Sequence, residues 1–317
     1  MLNDKDFNVV YFSEYLKNPT SYSDIGLGRI YKDLEVVLNR HGYKPRLLPY
    51  KDKRVMTGKL SVWCRDYMPI NTSRKDLFRF AYQPDYLKYN KYKGYEPDNA
   101  WVCKALNIDA ANFSFDSYKY PSPIPIVIDG GNIVRCGNKV IMVDKVFNEN
   151  PQIQPLKLTN CLEHWFEAEI IFLPWDKRES FGHSDGILRY ISGNNVVMAP
   201  YGNPQLNKTD RKYDNLFVNI LENNGLNVIR LDFSGINEST SFRFAYTNWL
   251  QLKGLIIMPK FIHMPQSNDC VYQQVQSIMK RLNVSIEMIE ATDLVKCGGA
   301  FNCASWTVTK GSVQNIV

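Results

Sequence analysis

Five short stretches hold residue types that would be reactive together. Residues 296–306 read KCGGAFNCASW and set Cys303 just beyond a glycine pair, where a backbone turns sharply or passes close to a neighbour. GHSDG at 182–186 supplies His183, one of four histidines in the chain, and Asp185. Asp66 lies in WCRDYMP (63–69), Asp129 in IDGGN (128–132) and Asn248 in YTNW (246–249). A thiolate is a strong nucleophile and an imidazole moves protons near neutral pH, so Cys303 with His183 points to covalent catalysis. A cysteine protease needs at most one polar residue to orient its histidine, which leaves carboxylates over. Surplus carboxylates imply a cationic substrate. A guanidinium fits them, because it is planar, always charged, and presents its N–H donors as a fork that two carboxylates grip from different sides. Its central carbon would then face the thiolate, and its charge would lower the cost of forming that thiolate.

Elements that could bring these residues together recur along the chain. IVIDGGNIVRCGNKVIMVDKVF (126–147) reads as a strand, a DGG turn, and two strands joined by a tight CGNK turn. GHSDGILRYISGNNVVMAP (182–200) and YTNWLQLKGLIIMPKF (246–261) repeat the hairpin around SGNN and LKG, and VWCRDYMPINTSRKDLFRFAY (62–82) is a looser copy. The periodicity predicts helices over 210–224 and 269–282, each leading to an apolar strand, NVIRLDF and SIEMIEA. The unit is hairpin, helix, strand. Anchored on Asp66, Asp129, His183, Asn248 and Cys303, it advances in steps of 63, 54, 65 and 55 residues. Units of this size bury no core alone and pack around a common axis, as propeller blades do, or simply stack. In a propeller the five anchors would meet.

Composition narrows the class. The 317 residues are 44% hydrophobic and 22% charged, ordinary globular proportions, so a real core is expected; length alone allows one large domain or two small ones, and the expectation carried forward is one domain over 1–317. The opening MLNDKDFNVVYFSEYLKNP has no basic stretch leading into an apolar run, and no apolar segment approaches membrane-spanning length, so no membrane partner is expected. The seven cysteines are odd in number and lack paired metal or redox spacings, which points to free thiols in the cytoplasm. The net charge of +6 is spread along the chain, and nucleic acid is not expected as a partner.

In this order, WCRDYMP, IDGGN, GHSDG, YTNW and CGGAFNC resemble the agmatine deiminase and bacterial-type peptidylarginine deiminase family, over residues 60 to 306. The resemblance implies a pentein-like, five-bladed pseudo-symmetric α/β propeller. It implies that Asp66 and Asp185 hold the guanidinium, that Cys303 attacks its carbon, that His183 is acid and base, and that Asp129 orients and charges the histidine. Trp63 and Asn248 would line the substrate pocket. The implied reaction turns a guanidino group of a small substrate into a ureido group with loss of ammonia through a thiouronium intermediate. It needs no metal and no organic cofactor, and no EF-hand-like loop is present.

Agmatine is favoured, with peptidylarginine or free arginine as alternatives, then an amidinotransferase or a protein that only binds. Three departures bear on this. Asn302 stands where the family often carries histidine; the tryptophan-rich N-terminal segment of agmatine deiminases is replaced by DFNVVYFSEYLKNPTSYSDIGLGRIYKDL; and the chain stops soon after Cys303. The stretch AYQPDYLKYNKYKGYEPDNAW (81–101) is expected to act as a lid, with Asp85 placed to meet the amine of agmatine.

Overall fold

In the computed structural model, which describes residues 2–51, 55–72, 76–88, 96–112, 114–115 and 123–313, the chain is a mixed α/β fold of small sheets. Five sheets have three strands each, and a sixth pairs Ser114–Phe115 with Ile124–Pro125. The clearest units follow the hairpin, helix, strand order. Val134–Cys136 and Lys139–Val143 form an antiparallel hairpin, the helix Pro155–Phe166 crosses over, and Glu169–Leu173 returns parallel to the middle strand. The same order holds for Leu188–Ser192, Asn195–Met198, helix Lys208–Asn223 and Asn227–Arg230. It holds again for Leu250–Leu252, Leu255–Lys260, helix Pro265–Met279 and Ser285–Glu290. Ile70–Asn71, Leu77–Arg79 and Ala111–Asn112 make the looser copy.

The fifth sheet closes the chain on itself. Ser305–Val308 runs antiparallel to Val9–Ser13, which pairs in parallel with Arg46–Leu48 beyond the helix Ile25–Arg40. The strand after Cys303 is thus completed by the N-terminal segment. In each of the three regular units the middle strand is flanked on both edges, so it reads as a continuous apolar run; Val140, Ile141, Met142 and Val143 are all buried. The crossover helices are amphipathic. Ile25–Arg40 buries Leu27, Ile30, Tyr31, Leu34, Val37 and Leu38, the three- and four-residue spacing of one face. Asn207 caps the helix Lys208–Asn223 by accepting from the N–H groups of Thr209 and Asp210.

One sequence expectation needs correction. The strand read from residue 126 is absent, because Val127 makes one bridge to Ala81 and its own N–H and C=O are taken by the side chain of Asn150, at 2.8 Å each. Among the described residues the three-stranded sheets are separate, with no hydrogen-bonded ladder joining one to the next. The predicted helices are found at 208–223 and 265–279, the second displaced because Pro265 supplies its first turn. Cysteine behaves as expected: all seven are free. Among the described residues no helix is long and apolar enough to cross a membrane.

Candidate active site

The predicted site residues occupy equivalent places, each just before the first strand of its sheet. Asp66 sits in the short helix Cys64–Tyr67, ahead of Ile70–Asn71. Asp129 and His183 each precede a single 3-10 turn, Gly130–Asn132 and Ser184–Gly186, and Asp185 lies within the second. Asn248 follows the turn Arg243–Thr247, and Cys303 comes two residues before Ser305–Val308. All six are buried.

They come together. The His183 Nε2 donates to Asp129 Oδ2 at 3.0 Å, while its Nδ1 stands 3.8 Å from Asp66 Oδ1. The Gly131 N–H donates to Asp66 Oδ1 at 2.9 Å. Glycine is required there, since a Cβ on Gly131 would lie 2.6 Å from His183 Nδ1 and 2.7 Å from Asp66 Oδ1. Across the site the Cys303 thiol donates to Asp185 Oδ2 at 3.5 Å. Trp63 packs against the turn that carries the nucleophile: a Cβ on Gly299 would meet its ring at 2.7 Å and Cys303 Cβ at 3.1 Å.

Asn248 is placed differently from the expectation that it lines the pocket. Its Oδ1 accepts from the N–H groups of Ala300 (3.3 Å) and Cys303 (3.2 Å), and its Nδ2 donates to the backbone oxygen of Asp185 at 3.2 Å. It braces the turn that carries the thiol against the turn that carries the carboxylate.

Electrostatics set the resting protonation. Burial alone would depress the His183 imidazolium, but the charges of Asp66, Asp129 and Asp185 outweigh it and raise it to about 10. Burial, together with Asp129 and Asp185, raises the Asp66 carboxyl to about 7 against the opposing pull of His183. The Cys303 thiol is pushed well above its ordinary value by burial, then by Asp185 and Asp66. At neutral pH the site therefore holds an imidazolium and a neutral thiol under excess negative charge. A cation entering between Asp66 and Asp185 would relieve that excess and favour the thiolate.

Sequence reasoning missed the aromatic mouth. Tyr86 packs edge-on against Phe181, with ring centroids 5.0 Å apart, and 6.5 Å from the His183 ring, while Phe181 lies 5.9 Å from the same ring. Burial, then Asp129 and Asp66, push the phenols of Tyr82 and Tyr86 well above their usual range. The tyrosine-rich stretch at 81–101 therefore does reach the site, although its residues 89–95 lie outside the described residues. Asp85 is not free for a substrate amine: it pairs at 2.8 Å with Lys145, whose ammonium is buried and also binds Glu149 at 2.9 Å. No local sequence signal announces that pairing, which joins residues 60 apart.

A family model described as Porphyromonas-type peptidyl-arginine deiminase matches residues 41–308. No curated protein matches the sequence. Among solved structures, the C. jejuni agmatine deiminase superposes with a TM-score of 0.71 at 14% identity, covering 98% of this chain and 96% of that one. The agmatine deiminase of Enterococcus faecalis gives 0.67 at 14%, with the same coverages. A dimethylarginine dimethylaminohydrolase from Pseudomonas aeruginosa gives 0.56 at 13%, covering 95% and 99%. At these identities the likeness is one of fold.

Proposed function

Because this chain belongs to the Porphyromonas-type peptidyl-arginine deiminase family, we propose that its site hydrolyses a guanidino group to a ureido group and releases ammonia, with Cys303 as nucleophile. The broad class is a hydrolase acting on the carbon–nitrogen bonds of linear amidines. The observation that carries the residue assignment is the convergence of thiol, imidazolium and three buried carboxylates from four separate sheet entries.

In this reading Asp66 and Asp185 grip the guanidinium from opposite sides, and its charge lets the Cys303 thiol release its proton to solvent, where the departing ammonia takes it up. The thiolate forms a carbon–sulfur bond at the central carbon. His183, charged and held by Asp129, protonates the departing nitrogen, and the carbon–nitrogen bond breaks to leave a thiouronium. Water then adds to that carbon while neutral His183 takes its proton; the carbon–sulfur bond breaks, and the ureido product leaves with the thiol restored. Asn248 holds the nucleophile's turn and Trp63 walls the carbon's approach. No step uses a metal or organic cofactor.

For the substrate we favour agmatine, converted to N-carbamoylputrescine. An aromatic mouth of Tyr86 and Phe181 over an acidic interior suits a cationic aliphatic chain without a carboxylate. We also read the five three-stranded sheets as blades about one axis, forming a single catalytic unit, and place the protein in the cytoplasm on its free thiols.

The test is ammonia release from agmatine, free arginine, and peptides with internal or C-terminal arginine, beside Cys303→Ala. Turnover of agmatine that is lost in Cys303→Ala is the expected result. Turnover of a peptide or of free arginine instead would move the substrate assignment, and activity surviving Cys303→Ala would refute the covalent route.

A further inference from the structure

Asn302 precedes the nucleophile, and its side chain is buried in a line of polar groups. Its Nδ2 donates to Asp185 Oδ2 at 2.6 Å, and its Oδ1 accepts from Arg189 Nη2 at 2.6 Å. Arg189 is 1% exposed; the same Nη2 donates to the Trp249 oxygen at 3.1 Å, and its Nη1 meets Asp4 Oδ2 at 3.0 Å. Asp185 Oδ2 in turn is the atom that receives the Cys303 thiol. The line thus runs Asp4, Arg189, Asn302, Asp185, Cys303, from the N-terminal turn to the nucleophile.

The orientation of the Asn302 amide is fixed by chemistry. A guanidinium only donates, so the atom facing Arg189 must be the amide oxygen, and the amide NH2 is left facing Asp185. Asp185 Oδ2 therefore accepts from two donors, Asn302 and Cys303, while no described residue donates to its other oxygen.

We propose that Asn302 is a positioning residue, a donor–acceptor bridge that carries the Asp4–Arg189 ion pair to Asp185 and fixes the direction in which that carboxylate faces the thiol and the guanidinium. For turnover the inference rests on the deiminase reading above; for the thiol it rests on the geometry alone. The bridge needs one acceptor and one donor on opposite sides of a small planar group. Imidazole has both, with one ring nitrogen accepting from Arg189 and the other donating to Asp185. Leucine has neither, and would strand two buried charged groups. Aspartate satisfies Arg189 but sets an acceptor against the Asp185 acceptor.

The experiment compares Asn302→His, Asn302→Leu, Asn302→Asp and the remote Asp4→Asn, each checked for folding by circular dichroism. Two measurements are made: kcat/KM for the substrate found above, and the pH dependence of Cys303 alkylation by iodoacetamide in the substrate-free protein. A lost hydrogen bond to a buried charge is worth roughly 10- to 100-fold. Asn302→Leu and Asn302→Asp should lose at least that in kcat/KM, with the alkylation midpoint displaced upward in Asn302→Asp. Asn302→His should stay within roughly threefold of the parent in both measurements, and Asp4→Asn should lie between.

Parent-like turnover and alkylation in Asn302→Asp and Asn302→Leu would overturn the bridge. So would a folded Asn302→His that loses as much as Asn302→Leu, since packing and not the donor–acceptor pattern would then be what matters. If Asn302→Leu does not fold, Asn302→Asp and Asp4→Asn decide. If the parent turns over no guanidine, the deiminase reading fails, and the alkylation profiles still decide the bridge.

Discussion

Asp129→Asn separates the charge of Asp129 from its hydrogen bond. Asp129 Oδ2 holds His183 at 3.0 Å, while its Oδ1 is buried without a partner among the described residues. An asparagine can therefore keep its oxygen toward the imidazole and set its NH2 where Oδ1 was, so that geometry persists and the negative charge goes. Two unit charges at that distance attract by about 5 kcal/mol at an effective dielectric near 20, against about 4 for Asp66 at its greater separation. Each factor of ten in proton affinity is about 1.4 kcal/mol, so removing Asp129 would lower the imidazolium by about four pH units, or about two if the retained amide dipole recovers half. From the present value of about 10, the group would come to titrate between about 6 and 8. Carbon-13 histidine NMR in the substrate-free protein reads this directly, and the alkaline limb of the ammonia-release profile should fall with it. Turnover near pH 7.5 should fall little if the group titrates at the upper end of that range and by about 30-fold at its lower end, because part of the population loses its general acid. A His183 titration that stays above pH 9 in Asp129→Asn, in a folded protein, would refute the claim that this carboxylate charges the histidine.

Asp66→Asn should trade activity for stability. The Asp66 carboxyl is raised to about 7 in the fold by burial, well above the ordinary carboxylate range near 3.8, so the folded state binds this proton more tightly than the unfolded chain. Its stabilising contribution is full below the lower value and is lost as pH rises through the upper one. Asparagine keeps the Gly131 hydrogen bond and removes that loss, so the thermal midpoint should rise more at pH 8 than at pH 5 while guanidine turnover falls by roughly 10²-fold or more; a variant less stable than the parent at pH 8 would contradict this. Gly131→Ala would drive a methyl against the imidazole and Asp66, and a displacement of about 1 Å costs on the order of 10²-fold. Its signature is lost ammonia release with Cys303 alkylation preserved.

How much of this was written in the chain depends on the range of the interaction. The hairpins were legible because strand alternation and glycine turns are local, as in LRYISGNNVVM, whose Gly193 has a positive φ. The anchors were legible because each is a chemically distinctive residue at the entry of a repeating unit. What joins the anchors was not. Asn302 meets Arg189 and Asp185 across 113 and 117 residues, Asp85 meets Lys145 across 60, and no local pattern encodes those pairings. Asn248 could be placed in the site from its motif, but only the fold reveals an amide engaged with three backbone groups.

The division has a physical cause. Each sheet entry delivers one or two reactive groups, and a turn of a few residues suffices to specify them. Setting five such groups within ångströms of one another requires side chains that tie one entry to the next, and these are buried polar residues whose partners lie in other units. Asn248 ties the thiol's turn to Asp185, Gly131 ties Asp66 to the Asp129 turn, and Asn302 ties Asp185 to Arg189 and the N-terminal turn. Changes at these ties should therefore alter rates and titrations while leaving the sheets intact, whereas changes in the apolar middle strands should unfold the protein before they touch the chemistry.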